Sequence, residues 1–93
     1  MFVKLSKINK DLNNDFYLSE VRVSISHILF ISENRELRNT LTEGNMKMDL
    51  NKMARFSDIS MTGPVGRQTI TVVGEPELIE SKILTQKKQL LRG

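Results

Sequence analysis

The stretch ISMTGPVGRQTITVVG, Ile59 to Gly74, constrains the fold more than any other part of the chain. Ile59 and Met61 precede a compact Thr-Gly-Pro-Val-Gly-Arg loop, and Ile70 and Val72 follow it, each pair two residues apart. A period of two puts each pair on one face of an extended strand, and so short a loop returns the chain beside itself. Residues 55–74 are therefore read as an antiparallel β-hairpin, ended by Gly74.

The same alternation recurs upstream. From Phe2 to Ile8, Val3, Leu5 and Lys7 oppose Phe2, Lys4 and Ser6, as in a strand with one buried face. The turn formers of NKDLNND, 9–15, make a loop. Phe16-Tyr17-Leu18, continued by Val21 and Val23, is a second strand. SISH, 24–27, is a short turn, and ILFI, 28–31, is a core strand too short for an ordinary helix. Residues 34–54 fit neither period throughout. Leu37 and Leu41 could cover one helical turn, Met46, Met48 and Leu50 alternate as in an extended arm, and Gly44-Asn45 marks a reversal between them. A long excursion in a small domain is more often functional or assembly-forming than idle. Its methionines suit either adaptable contact surface or core filler.

The final segment, 75–92, is a helix. Pro76 suits a first turn, where its missing N–H costs nothing. Glu75, Glu77 and Glu80 lie near the positive end of the helix dipole, and Lys87, Lys88 and Arg92 near the negative end. Ile79, Ile83 and Leu90, joined by Leu84 and Leu91, form an apolar stripe. The stripe extends farther than five strands require, which makes Leu84, Leu90 and Leu91 a candidate oligomer interface.

Together these elements describe one domain over 1–93: three strands in 1–33, the excursion, the hairpin and the helix. The fold class is mainly β (α+β), a small SH3-like antiparallel barrel or bent sheet of about five strands with one C-terminal helix. Leu5, Tyr17, Ile28, Phe30, Ile70, Val72, Ile79 and Ile83 are its expected core. With 93 residues the core is small, and with no Cys and a single His neither a disulfide nor a metal cluster can staple it. Self-association is the expected remedy. The net charge of +3 is mild, and part of the excess sits on Lys82, Lys87, Lys88 and Arg92, a solvated helix end or a nucleic-acid patch. Four Phe and one Tyr leave few rings for base stacking. The N-terminus has no apolar h-region and no segment approaches a membrane span, so a cytoplasmic protein without a membrane partner is expected.

The phrases FVKLSKIN, DFYLSEVRVSISHILFIS, the hairpin, and ITVVGEPELIESKI resemble the layout of small FlbD-type flagellar proteins, and more closely their bacteriophage-encoded relatives. Phe16, Tyr17, Leu18, His27, Ile28, Val72, Val73, Pro76, Glu77 and Ile79 carry the likeness. It skips 34–54, which is longer than the flagellar pattern and favours the phage side. The matching residues are packing and turn residues, so the resemblance implies a fold and carries over no catalytic site.

No motif for chemistry stands out. His27 would need scattered carboxylates to hold a metal, and a turn histidine capping local backbone is the simpler role. The serines lack general-base spacing, and there is no P-loop, GxGxxG or zinc pattern. No catalytic residue, metal or cofactor is expected. The loop at 62–67 keeps two readings. It is a hairpin connection in which Arg67 pairs with a carboxylate such as Asp58, or it is an anion holder. In the second reading Thr62, the Gly63 and Gly66 backbone and Arg67 face a phosphate. The leading expectation is a non-enzymatic, homo-oligomeric binding protein that sequesters a small anionic ligand, such as a nucleotide immune signal, or blocks a host protein. A nucleic-acid-binding module and an assembly accessory of virion or flagellum are the alternatives.

Overall fold

The computed structural model describes residues 1–37 and 55–92, excluding the side chains of 89–92. Five antiparallel strands form one sheet: β1 (Phe2–Lys10), β2 (Phe16–Ser24), β3 (Ile28–Glu33), β4 (Phe56–Gly63) and β5 (Gly66–Val73). Helix α1 (Pro76–Arg92) follows. The spatial order is β2-β1-β5-β4-β3, so the edge strands β2 and β3 are consecutive in sequence. A 3-10 turn, Ile25–His27, links them, and the Ile25 N–H donates to the Met1 carbonyl at 3.1 Å. The mainly β architecture and the element order expected from the alternation are both present.

The pleat sorts the side chains by parity. On one face Val3 and Leu5 of β1, Val23 of β2, Ile59 of β4 and Val72 of β5 bury themselves around Ile79 of α1. Ile28, Ile31, Ile70 and Ile83 pack against the margin of this cluster, half-buried. A second cluster lies on the opposite face, where Phe56 and Ile8 are buried and Phe16, Leu37 and Val73 cover them. The single buried face expected for β1 is therefore corrected: Val3 and Leu5 face α1, whereas Ile8, of opposite parity, buries behind the sheet.

Two expected core residues are exposed. Tyr17 is 50% exposed although it shares parity with Val21 and Val23. It stands opposite Asn9, near the Lys10↔Phe16 end of the β1–β2 pair, while the apolar partners of α1 sit toward Val23↔Val3. Phe30 is 55% exposed because β3 is an edge strand with a register shift between Ile28 and Phe30. The shift makes Leu29 an extra residue, so Ile28 and Ile31 reach the core while Phe30 opposes Ser60 on the other face.

Local chemistry fixes the ends. In the β1–β2 loop the Asp11 carboxylate accepts from the Asn13 and Asp15 N–H groups at 2.8 and 3.0 Å. Asn34 accepts from the Leu37 N–H at 3.2 Å through its side chain, capping a helical turn that begins the excursion. The expectations for Leu41, Met46, Met48 and Leu50 lie outside the described residues. At the junction of β5 and α1, Gly74 adopts a φ of 120°. Its N–H donates to the Arg55 carbonyl at 2.7 Å, and its own carbonyl accepts from the buried Ser57 hydroxyl at 2.7 Å. The Leu78 and Ile79 N–H groups then donate to the Glu75 carbonyl, which starts the helix, and the Glu75 carboxylate meets Arg55 at 3.1 Å.

Candidate functional site

The far end of the β4–β5 hairpin is built differently. Gly63 and Gly66 face each other across the last rung, and Pro64 and Val65 span the turn. Pro64 brings its fixed φ, and Val65 has no positive φ, so the one left-handed position falls on Gly66, at 109°. Val65 is 97% exposed.

Beneath this tip the 3-10 turn brings a second set of polar groups. Ser24 ends β2 and His27 ends the turn, and the Ser24 hydroxyl and His27 Nδ1 are hydrogen-bonded at 2.8 Å. Ser26 adds a hydroxyl 3.3 Å from that of Ser24. His27 thus bonds a side chain of its own turn, not the backbone expected for it. Ser24 and His27 on one side, and Met61, Thr62, Gly63, Pro64 and Gln68 on the other, enclose an open cleft of about 470 Å³. The volume is in the range of small-molecule sites, about 300–1,000 Å³.

Of the four residues expected to hold an anion, Thr62 and Gly63 line this cleft, and Gly66 and Arg67 do not. The division follows the strands at the tip: Thr62 and Gly63 belong to β4, the neighbour of β3, and their partners Arg67 and Gly66 to β5, one strand farther away. Arg67 stands opposite Thr62 on the same face, and Gln68 stands opposite Met61 and lines the cleft with it. Arg67 is exposed and forms no ion pair among the described residues. The alternative partner, Asp58, is engaged elsewhere: its carboxylate accepts from the Thr71 hydroxyl at 2.6 Å and from the Asn34 amide at 3.0 Å. Asp58 opposes Thr71 in the ladder, four rungs from the Thr62↔Arg67 pair, so the cross-hairpin ion pair is not formed.

Ser24, His27 and Gln68 were not expected at the site. Their approach depends on the β2-to-β3 connection meeting the tip of a hairpin more than thirty positions away, and no local pattern encodes that. A smaller groove of about 310 Å³ lies between β1 and α1, with Lys4, Lys82, Ser81 and Thr85 in its wall. Leu84 is 57% exposed on α1, whereas the Leu90 and Leu91 side chains, expected to join it in an interface, lie outside the description. Among the described residues no group of three or more His, Cys, Asp or Glu could hold a metal ion, and no helix is long and apolar enough to cross a membrane. Compared with family models, curated proteins and solved structures, the chain finds no match in any of the three.

Proposed function

We propose that the chain is a non-catalytic binding protein that holds a small anionic ligand of about nucleotide size in the cleft under the β4–β5 tip. The observation that carries this reading is the composition of the lining. Hydroxyls of Ser24 and Thr62, the Gln68 amide and the His27 imidazole converge there, and no carboxylate is among them. A phosphate presents acceptors only, so such a donor set matches it without repulsion. Met61 and Pro64 supply apolar wall for a flat, partly apolar body such as a base. Arg67, opposite Thr62 and without an ion pair among the described residues, supplies positive charge at the same end of the hairpin. Sequestration is the biological use proposed for such a cleft, a nucleotide immune signal being one ligand of this class.

Native mass spectrometry of the isolated protein, followed by calorimetric titration of adenosine monophosphate and of a cyclic dinucleotide, tests the proposal. Binding of either is expected to weaken about tenfold in His27→Ala or Thr62→Val, the worth of a hydrogen bond to a charged group. Loss of binding in Lys82→Ala alone would move the ligand to the groove beside α1. Retention only of mixed nucleic acid, with steep salt dependence, would replace this reading with a nucleic-acid module.

A further inference from the structure

We infer that β2 is a dimerisation edge, pairing antiparallel with β2 of a second copy about a two-fold axis at Val21. The inference stands independently of the ligand proposal. The sheet has two edges, and they are not alike. On β3 the strand is six residues long and the extra residue at Leu29 interrupts its ladder. Short length and a bulge are the ordinary devices that keep a sheet edge from pairing further. The β2 edge has neither. It runs nine residues without Pro, and its register to β1 is unbroken from Phe2↔Ser24 to Lys10↔Phe16. Among the described residues nothing pairs with its outer side.

Charge selects both the occupant and the register. Glu20 and Arg22 are exposed, two residues apart, and on the same face. In an antiparallel pair of identical strands, an axis at Val21 sets Glu20 of each copy opposite Arg22 of the other, giving two opposite-charge pairs. An axis at Glu20 or at Arg22 sets identical charges face to face, which is destabilising. Shifting the axis to Ser19 or Val23 leaves both charges opposite uncharged residues. The Val21 register also joins the two half-buried Val21 side chains on the helix-side face. It runs Leu18, 41% exposed, against Ser24 of the second copy and Tyr17, 50% exposed, toward its Ile25. Two side chains left open in the single chain are thereby covered. Glu20 already reaches Lys4 at 3.8 Å, a long and exposed pair that leaves its carboxylate accessible to a second cation.

Sedimentation velocity at micromolar concentration on the whole chain and on charge variants tests this. The wild type is expected to be a dimer. Glu20→Arg and Arg22→Glu should each raise the dimer dissociation constant at least about tenfold, because two attractive pairs become two repulsive ones. Mixing these two variants should give a heterodimer, and the double variant Glu20→Arg/Arg22→Glu should dimerise again. Leu84→Lys should remain a dimer. A monomeric wild type, single variants that dimerise as the wild type does, a double variant that is folded by circular dichroism yet monomeric, or dissociation by Leu84→Lys would each overturn the proposal.

Discussion

The β4–β5 hairpin ends twice, and its two ends are opposites. Each carries a glycine with positive φ, Gly74 at 120° and Gly66 at 109°. A side chain on Gly74 would meet Ile79 and Leu78 at 3.2 Å, whereas one on Gly66 would meet nothing within 4 Å. Around Gly74 the backbone is tied by Arg55 and Ser57, and Phe56 and Ile79 are fully buried beside it. Around Gly66 the tip is exposed, and Thr62 and Gln68 beside it line a cleft. The same two strands are thus closely packed at one end and open at the other, where Thr62 and Gln68 line the cleft. Packing that is complete leaves nothing for a ligand to satisfy, whereas polar side chains on an open wall are placed to meet one.

Mutations at the two ends should separate accordingly. The largest effect is expected at the packed end. Ile79→Ala should lower stability by about 2–5 kcal/mol, since a fully buried side chain leaves a cavity. Ile83, half-buried at the margin, should cost less than Ile79 in the same denaturant titration. Gly74→Ala should follow at about 2–4 kcal/mol, combining a backbone conformation that L-residues resist with two tight side-chain contacts. Ser57→Ala should cost about 1–3 kcal/mol, because it strands the Gly74 carbonyl in a buried site. At the open end Gly66→Ala carries the backbone term alone, about 1–2 kcal/mol, with no steric addition. Equal losses for Gly74→Ala and Gly66→Ala in urea unfolding would erase the contrast.

The elements legible in the sequence are those set by local period and turn chemistry. The alternation around Ile59, Met61, Ile70 and Val72 predicts β4 and β5, and Pro76 with the charge gradient predicts α1. Periodicity reports which residues share a face, but not whether that face is covered. Tyr17 lies on the helix-side face near the strand end remote from the apolar partners of α1, and Phe30 lies on an edge strand where a bulge turns it away, so both were expected inside and are not. The burial of Ile8 behind the sheet was hidden for the converse reason: its cover, Phe56 and Leu37, comes from distant segments. Thr62 and Gly63 of the candidate site were visible in the turn chemistry of the tip, whereas Gly66 and Arg67, read with them, do not line the cleft. Ser24, His27 and Gln68 were not, because Ser24 and His27 meet Gln68 only through tertiary closure of the 3-10 turn against the hairpin.

The most direct test of the division between a packed end and an end proposed to bind a ligand takes one variant and two readings. Thr62→Val removes a hydroxyl from the cleft while keeping the β-branched shape that suits a strand. Its thermal midpoint and its calorimetric affinity for adenosine monophosphate would be compared with the wild type. The account predicts a midpoint essentially unmoved and an affinity lowered about tenfold. An unchanged affinity for a ligand that the wild type does bind, or a loss of binding that merely tracks a loss of stability, would contradict it.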